Sequence, residues 1–250
     1  MRPSILEAAD LLRRSTYTVA LTGAGISTPS GIPDFRSHSS GLWNRFDPME
    51  VASLWAFHER PDRFYEWIVP LLHKMRVARP NAAHRTLAAM EEAGLLRATV
   101  TQNIDSLHQM AGSRQVHELH GHARTATCLE CGLVTPAEPL VAQVLAGGPP
   151  PHCAECGGPL KPDVILFGEP LPYDVLIRAQ QESLHAEVLL VIGTSLEVMP
   201  AADLPLLAKR RGARLIFINL QSTLLDGEAD ILIQADVVRV LDEIRQFLRC

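Results

Sequence analysis

A glycine-rich segment that directly follows an apolar, β-prone run is the clearest chemical signal in this sequence. Residues 17–21 read YTVAL, residues 22–27 read TGAGIS and residues 31–36 read GIPDFR. Closely spaced glycines at the end of a strand let the backbone approach a nucleotide pyrophosphate. The spacing differs from the Gly-x-Gly-x-x-Gly of dehydrogenases, and no Gly-Lys-Ser/Thr follows, which excludes a P-loop. The alternative at this point is a tight turn that binds nothing.

Cysteines form a second group with chemical potential. They stand in two Cys-x-x-Cys pairs, Cys128 with Cys131 and Cys153 with Cys156. This is the spacing of a tetrahedral four-thiolate zinc site, and because all four ligands are thiolates, no position is open for a catalytic water. We therefore predict structural Zn²⁺. Disulfides and a redox pair are the alternatives; a cytoplasmic setting disfavours the first, and the doubled motif disfavours the second.

Histidine supplies the candidate general base. An imidazole titrates near neutral pH and can take a proton from a sugar hydroxyl. His120 is the candidate, because Gly121 follows it and is expected to let the backbone open next to a ligand. His84, His108 and His117 lie in or beside predicted helices and strands, and we interpret them as packing or hydrogen-bonding residues.

Polar side chains follow another strand-like run at residues 98–101. They are Gln102, Asn103 and Asp105. A doubly wound sheet presents ligand-binding groups at the carboxyl ends of its strands, where amides can hold ribose hydroxyls or a carboxamide. Asp105 can accept a hydrogen bond from an amide NH₂ group. The alternative is a loop stabilised by Asx-type turns.

The end of the glycine-rich region contributes a cation and an aromatic ring. Arg36 can offer charge-assisted hydrogen bonds to a phosphate. Phe35 can cover the reacting face of a ribose and exclude water from it.

The order of elements predicts an α/β fold with a doubly wound, Rossmann-like parallel sheet. Strands are expected at residues 17–21, directly before the glycine-rich segment, and at residues 98–101, 188–192 and 215–218. Helices are expected before the first strand, with Ile5, Leu6, Ala9 and Leu12 on one face; from an Asn81 cap through Glu92; from near Pro200 to Gly212; and at the C-terminus, with Val237, Val240, Leu241, Ile244 and Phe247 in one stripe.

Two regions interrupt this alternation. Residues 37–79 are rich in Trp, His, Pro and charge, and residues 125–159 contain the cysteine pairs. We therefore predict a nucleotide-binding domain of residues 1–36, 80–124 and 160–250. A helical insertion at 37–79 and a zinc-binding module at 125–159 are expected to form a smaller domain.

Bulk composition excludes several classes of protein. The chain has 250 residues, 47% of them hydrophobic, and a net charge of −5, so no basic footprint indicates direct nucleic-acid binding. The longest aliphatic run, residues 188–192, is too short to span a bilayer, and the N-terminus lacks the apolar stretch of a signal peptide. We expect a cytoplasmic protein without a membrane partner.

Taken in order, the motifs resemble the sirtuin family of NAD-dependent protein lysine deacylases. The resemblance runs from about residue 20 to residue 238. The motifs are the glycine-rich segment, TQNID at 101–105, HELHG at 117–121, the two cysteine pairs, KPDVILFGE at 161–169, GTS at 193–195 and INL at 218–220.

The resemblance implies NAD as a consumed co-substrate and a structural zinc in a small ribbon module. His120 matches the family's general base, and Asn103 and Asp105 match residues at the chemical centre, with Asp105 near the nicotinamide carboxamide. The implied NAD contacts are Gly23, Ala24, Gly25, Thr28, Asp34, Phe35, Arg36, Gln102, Asn103, Ile104, Asp105, His120, Gly193, Thr194, Ser195, Asn219, Leu220, Asp236 and Val237.

The implied substrate is acetyl-lysine in an extended peptide segment of another protein. Residues 164–169 are predicted to form an edge-like strand that runs into a loop. The resemblance implies that this stretch pairs with the peptide by main-chain bonds. The implied contacts are Val164, Ile165, Phe167, Gly168 and Glu169. Sirtuins that prefer negatively charged acyl groups carry a Tyr and an Arg on one helix; the matching stretch at 64–72 has Tyr65 but no Arg at that spacing. Acetyl therefore fits better than succinyl.

The implied reaction converts acetyl-lysine and NAD to lysine, nicotinamide and O-acetyl-ADP-ribose. Protein mono-ADP-ribosyl transfer is the alternative enzymatic activity, although some relatives with that activity lack the histidine that His120 matches. A non-catalytic NAD-binding or zinc scaffold is the alternative outside enzymes, and a binding protein has no use for a general base.

Overall fold

Strands and helices alternate along most of the chain in the computed structural model, which describes residues 2–36 and 41–250. Within these residues the strands are β1 (Thr18–Thr22), β2 (Ala98–Thr101), β3 (Val116–Glu118), β4 (Gly121–Cys128), β5 (Val134–Pro136), β6 (Leu160–Val164), β7 (Val188–Ile192), β8 (Arg214–Asn219) and β9 (Ile231–Gln234). The α-helices are α1 (Arg2–Arg14), α2 (Pro48–Val51), α3 (Leu54–Glu59), α4 (Pro61–Val77), α5 (Ala82–Glu92), α6 (Leu107–Met110), α7 (Ala137–Leu145), α8 (Tyr173–His185), α9 (Leu204–Arg210) and α10 (Val237–Leu248).

The chain divides into two units. Unit 1 comprises Met1–Gly31, Arg79–Leu119 and Pro172–Cys250; unit 2 comprises Ile32–Ala78 and His120–Leu171. The domain boundaries drawn from the sequence stay a prediction. Residues 37–40 of the predicted helical insertion lie outside the described part of the chain.

Unit 1 is built on a six-stranded parallel sheet. Its strand order is β3-β2-β1-β7-β8-β9, and every neighbouring pair is parallel. The central strands β1 and β7 are buried at every position, as expected when helices cover both faces of a parallel sheet. The order runs outward in both directions from β1 and β7, which is the doubly wound Rossmann order, so the predicted fold class is confirmed.

Helices α1, α5 and α10 pack on one face of this sheet and form its largest core. The capping of α5 by Asn81 is confirmed, because the side chain of Asn81 accepts from the backbone N–H groups of Ala83 and His84. Two positions of the predicted apolar faces are wrong: Leu6 is 44% and Phe247 41% exposed. At about 100° per residue, each side chain projects outside the arc of the buried positions of its helix, which are Ile5, Ala8, Ala9 and Leu12 in α1 and Val237, Val240, Leu241 and Ile244 in α10.

In its described residues, unit 2 contains a smaller antiparallel sheet and four α-helices. Strand β4 lies between β5 and β6, and helices α2, α3, α4 and α7 belong to the same unit. Gly121, the first residue of β4, has φ +70°, and a Cβ atom there would lie 2.0 Å from the carbonyl oxygen of Asp163. The glycine after His120 is therefore required by the close approach of β4 to β6. The sequence had suggested a different reason, namely that this glycine opens the backbone next to a ligand.

The prediction of an edge strand that runs into a loop over residues 164–169 is confirmed, because β6 lies at the edge of its sheet and the loop begins after Val164. Strand β6 ends at Val164. The Ile165 N–H still donates to the carbonyl oxygen of His120 at 2.9 Å, but Phe167 bonds to the segment before α3, and Gly168 has φ +90°. The backbone leaves the ladder because its next partners lie on a different segment from β4.

No helix in residues 2–36 and 41–250 combines the length and apolar character needed to cross a bilayer.

Two histidines are completely buried beneath the sheet edge of unit 1. His84 and His108 have rings 4.9 Å apart, and Nε2 of His108 lies 2.9 Å from Oγ1 of Thr22. Burial is the main cause that lowers the pKa of His84 to about 4, and the nearby positive charge of Arg85 is a smaller cause in the same direction. Burial, and after it His84, lower the pKa of His108 to about 3. Both side chains therefore stay neutral at neutral pH, as packing and hydrogen-bonding residues.

These histidines make stability depend on pH. Since the pKa of each is lower in the folded state than in the unfolded state, the unfolded chain binds more protons below about pH 6.5, and stability falls as pH falls. Lowering the pH from about 7 to about 5 is expected to reduce the free energy of unfolding by about 2 kcal/mol for each histidine. Urea denaturation at the two pH values measures this loss.

The His108→Gln variant isolates the contribution of one ring. It is expected to be less stable than the wild type at pH 7 but to lose about 2 kcal/mol less on acidification. His58→Gln, at an exposed position, serves as the matched control and should retain the wild-type loss. If stability depends on pH identically in His108→Gln and the wild type, the buried His108 ring does not cause the loss of stability on acidification.

Candidate functional site

Four predicted site segments meet at the carboxyl ends of the strands of unit 1. The segment after β1 bonds to the segment after β7, since the Gly23 N–H donates to the Ile192 carbonyl at 3.1 Å and the Gly25 N–H to the Gly193 carbonyl at 2.8 Å. The segments after β2 and β8 adjoin them through the Gln102 N–H, which donates to the carbonyl of Thr22 in β1, and the Ile218 carbonyl of β8, which accepts from Gly193. This is the point where the strand order reverses, which is where doubly wound folds bind their ligands.

Glycine is required here because two loops cross at backbone distance. A Cβ atom on Gly25 would lie 2.8 Å from Cα of Gly193, and one on Gly193 would lie 2.5 Å from the backbone N of Ile26. A Cβ atom on Gly23 would lie 2.7 Å from Cβ of Thr194. The crossing therefore accounts for the glycines at positions 23, 25 and 193, whereas Gly31 takes no part in it and has φ +90°.

Asp105 and Asn103 belong to one buried network. The Ser27 hydroxyl donates to Oδ2 of Asp105 at 2.6 Å, and the Leu107 N–H donates to Oδ1 at 2.9 Å. Nδ2 of Asn103 donates to the Gly23 carbonyl and to Oγ of Ser27, both at 3.1 Å. Burial raises the pKa of Asp105, and the hydrogen bond from Ser27 opposes this rise. The network fixes both side chains and the glycine loop relative to one another.

A second buried network joins the loops after β7 and β8. Oδ1 of Asn219 accepts from the Thr194 N–H at 2.9 Å, and Nε2 of Gln102 donates to Oγ1 of Thr194 at 2.9 Å. Asn219 is only 5% exposed, yet its Nδ2 has no hydrogen-bond partner among the described residues. Buried polar groups in proteins usually have a hydrogen-bond partner, so this donor is available to an oxygen atom of a ligand or of water.

The remaining predicted contacts of unit 1 lie around these networks or serve the fold. Ala24, Thr28, Ile104 and Ser195 are half-buried, and Leu220 is exposed. The Asp236 side chain caps α10 by accepting from the Arg239 N–H at 2.9 Å. Val237 is buried in the core of unit 1.

In unit 2, residues 34–36 are fixed to the chain that follows the undescribed residues. The carbonyl oxygens of Asp34 and Phe35 accept from the N–H groups of Leu42 and Trp43, at 3.1 and 3.0 Å. The Phe35 ring lies 5.1 Å from the Trp43 ring. Arg36 is half-buried and also has a partner.

An aromatic cluster extends from this loop. The Trp43 ring stacks on Trp67 at 5.5 Å and meets the ring of Phe167 edge-on at 6.1 Å. Trp43 thereby links Phe35 to the predicted peptide-binding segment. Sequence reasoning missed Trp43, although its position in a Trp-rich insertion was a usable signal.

His120 is half-buried and directly precedes β4. Its carbonyl oxygen accepts from the Ile165 N–H, so the backbone of the predicted general base is bonded to the predicted peptide-binding segment. The Phe167 N–H donates to Ala52, and its carbonyl oxygen accepts from Leu54, both at 2.9 Å. These bonds hold the segment on both sides.

The predicted peptide-binding segment, residues 164–169, forms two hydrogen bonds within itself. The Leu166 N–H donates to Oε2 of Glu169 at 2.7 Å, and the Glu169 N–H donates to the Leu166 carbonyl at 3.0 Å. Glu169 therefore closes a turn within the protein. The Ile165 carbonyl and the Gly168 N–H have no hydrogen-bond partner within the ranges that the structure describes.

The four cysteines of the two pairs converge in unit 2. Their sulfur atoms all lie within 4.8 Å of one another, with Cys128 to Cys156 at 3.4 Å and Cys131 to Cys153 at 3.7 Å. A disulfide needs about 2.05 Å, whereas a tetrahedron with Zn–S bonds of about 2.3 Å places its sulfurs about 3.8 Å apart. The geometry fits a four-thiolate zinc site, and the disulfide alternative is wrong.

Each cysteine pair forms a tight knuckle. The N–H groups of Gly132 and Gly157 donate to the carbonyls of Cys128 and Cys153, at 3.0 and 2.9 Å. Both glycines have positive φ, +73° and +76°, which side-chain-bearing residues rarely adopt. The knuckles direct the two sulfurs of each pair to one point.

Tyr65, on α4, does not present its hydroxyl as a free group. The hydroxyl donates to the Leu160 carbonyl at 2.6 Å, and burial raises its pKa. This side chain therefore contributes to packing between α4 and β6.

Comparisons with known proteins agree with these arrangements. A family model for the Sir2 family matches residues 23–200. NAD-dependent protein deacetylase 1 of Pyrobaculum aerophilum is 46% identical over 243 residues, which cover 97% of this chain and 94% of that protein. NAD-dependent protein deacetylase 1 of Geobacillus kaustophilus is 45% identical over 238 residues, with 95% and 96% covered. A solved Sir2 structure with a deacetylated p53 peptide and 3′-O-acetyl ADP ribose matches with a TM-score of 0.92 and 40% identity, and covers 97% of each chain.

Fold alone does not explain this similarity, because Rossmann-like proteins of unrelated function share a strand order without sharing sequence. The alignments with the two deacetylases extend over more than nine tenths of the chain, and the family model covers more than half of it. The chain therefore belongs to the Sir2 family.

Proposed function

We propose that this chain is an NAD-dependent protein-lysine deacetylase, which converts acetyl-lysine, NAD and one water molecule to lysine, nicotinamide and O-acetyl-ADP-ribose. The observation that carries the proposal is the unpaired, buried amide nitrogen of Asn219 beside the crossing glycine loops. A dinucleotide with its ribose hydroxyls and pyrophosphate suits this donor and this backbone. The relatives from Pyrobaculum aerophilum and Geobacillus kaustophilus carry the name of the same activity.

Unit 1 is proposed to bind the dinucleotide. The backbone of residues 23–25 and 193–195 approaches the pyrophosphate, because the crossing excludes side chains at Gly23, Gly25 and Gly193. Asn219 donates to a hydroxyl of the adenosine ribose. Leu220, Asp236 and Val237 are proposed to lie near the adenosine.

The nicotinamide end is assigned to the Asp105 network. A carboxylate can accept more than the two hydrogen bonds that Ser27 and Leu107 provide, so Asp105 retains capacity for a carboxamide NH₂ group. Asn103 is held beside it and orients the ribose. In such a buried site these fixed dipoles act without reorganising, which strengthens their effect on the reaction.

Unit 2 is proposed to supply the base and the peptide site. The bound dinucleotide supplies the ribose that accepts the acetyl group and the nicotinamide that departs. His120 takes a proton from a ribose hydroxyl. Phe35 excludes water from the reacting face, and Arg36 binds a phosphate.

An extended peptide is proposed to bond to the main chain of residues 164–168. The Ile165 carbonyl and the Gly168 N–H offer one acceptor and one donor for it. Recognition through the backbone tolerates varied side chains in the peptide. With Tyr65 bonded to Leu160 and no arginine at the matching spacing, an uncharged acetyl group is favoured over a succinyl group. The substrates are other proteins, and the cytoplasmic location stays a prediction.

Zn²⁺ is proposed to hold the cysteine cluster as a structural ion. Cys128, Cys131, Cys153 and Cys156 would be its ligands. Four thiolates leave no site for substrate or water, so the ion contributes folding energy to unit 2.

Mass spectrometry of an acetyl-lysine peptide with the protein, with and without NAD, tests the function. We expect loss of acetyl only with NAD, together with O-acetyl-ADP-ribose. ADP-ribose on protein or peptide without deacetylation would replace the proposal with mono-ADP-ribosyl transfer. No turnover of any acyl-lysine peptide would leave a binding protein.

The His120→Ala variant tests the base. Because general-base catalysis contributes a factor of about 100 to 10,000, we expect kcat to fall by at least about a hundredfold while NAD affinity, measured by calorimetry, changes little. His73→Ala, at an exposed position of α4, is the control and should keep full activity. An active His120→Ala enzyme would refute the role.

Replacing Cys128 and Cys131 together by serine tests the zinc site. We expect the zinc content, measured by atomic emission, to fall from about one ion per chain to none and the melting temperature to fall with it. Cys250→Ser removes a thiol outside the cluster and should change neither quantity. The structural-zinc proposal fails if the double variant is folded, active and free of metal.

A further inference from the structure

Lys161 is a buried lysine in β6 of unit 2. It is 5% exposed, although lysine is almost never buried in proteins unless its charge is paired. Lys161 lies three residues before the predicted peptide-binding segment, so its buried charge is close to that segment in the chain.

The ammonium group of Lys161 uses all three of its donors on the following residues. Nζ lies 3.1 Å from the Pro162 carbonyl oxygen, 2.8 Å from the Val164 carbonyl oxygen and 3.1 Å from Oε2 of Glu169. The same Oε2 atom accepts from the Leu166 N–H at 2.7 Å. The chain from 161 to 169 is thereby closed into a loop through one cation and one carboxylate.

This clamp acts where the backbone leaves the sheet. Strand β6 ends at Val164, whose carbonyl oxygen would otherwise point to solvent or to a new partner. The Lys161 ammonium engages that oxygen, and Glu169 engages the next free N–H, that of Leu166. Among residues 165–168, the backbone groups without a partner in the described part of the chain are the Ile165 carbonyl and both the N–H and the carbonyl of Gly168. The clamp therefore engages the Val164 carbonyl and the Leu166 N–H and leaves these three groups unengaged.

We propose that Lys161, paired with Glu169, is a positioning residue that presents the Ile165 carbonyl and the Gly168 N–H to the acetyl-lysine peptide. The inference rests on the proposed function. Lys161 touches neither substrate nor NAD; it acts through the backbone of residues 164–168. Glu169, expected from the sequence to contact the peptide, acts in this proposal through the same clamp.

The Lys161→Met variant removes the charge and keeps the length of the side chain. A hydrogen bond to a charged group is worth about 1.5–3 kcal/mol, so its loss is expected to raise the peptide KM by about tenfold or more. The KM for NAD, measured with saturating peptide, and kcat should stay within about twofold of the wild type. A role in stability alone would not separate the two KM values.

Lys209→Met is the matched control. Lys209 also pairs with a glutamate, Glu228, at 3.0 Å, but in unit 1 and with the lysine side chain 38% exposed. The same substitution there should leave both KM values unchanged. An unchanged peptide KM in Lys161→Met, or equal losses in both KM values and kcat, would overturn the inference.

Glu169→Gln decides the matter if Lys161→Met does not fold. This variant keeps the lysine bonds to the two carbonyls and removes only the charge partner, so a smaller rise in the peptide KM, with the KM for NAD constant, supports the clamp. An unchanged peptide KM overturns it. The activity of the wild-type enzyme distinguishes failure of the proposed function from failure of the role of Lys161. If the wild type shows no NAD-dependent deacetylation, the proposed function is refuted. If the wild type is active and the variants keep its peptide KM, only the role of Lys161 is refuted.

Discussion

The backbone crossing of Gly25 and Gly193 is the constraint on which unit 1 depends. It occurs where the strand order reverses between β1 and β7, so the two loops that leave these strands must share one space. The crossing is possible only without side chains, and it leaves a surface of backbone with few atoms projecting from it. A pyrophosphate can approach such a surface closely, so packing and ligand binding impose the same residue choice.

Buried polar networks surround this crossing and divide into paired and unpaired groups. Asp105, Ser27 and Asn103 satisfy one another, and the neutral rings of His84 and His108 lie beneath the same loops. The amide nitrogen of Asn219 lacks a partner within the described ranges. In a buried site a paired group rigidifies the fold, whereas an unpaired group costs stability unless a ligand engages it. Of the groups around the crossing, the Asn219 amide nitrogen is therefore the one proposed to engage the dinucleotide.

Unit 2 depends on a few local interactions, whereas unit 1 has a large apolar core. A cluster of four sulfurs holds two knuckles together, and a single lysine closes the chain after β6. Small sheets bury too little apolar surface to define their loops, so metal ligation and charge-assisted bonds are effective substitutes. The aromatic cluster of Trp43, Trp67 and Phe167 adds the packing that the three-stranded sheet lacks.

Sequence alone determined the features that depend on local chemistry or on periodicity. The run at 188–192 could be placed as a buried strand because it is uniformly apolar, and Asn81 could be placed as a cap because side-chain capping acts within three residues. The spacing of the cysteines indicated one metal site for the same reason, since each knuckle is local. Tertiary structure alone decided the long-range partners. The end of β6 at Val164, the requirement for glycine at position 121 and the burial of Lys161 all depend on segments distant in sequence, such as residues 52–54 and Asp163. Periodicity in the sequence indicates which face of a helix or strand is apolar. It does not indicate which distant backbone segment will lie against that element, and the candidate site consists of segments brought together in that way.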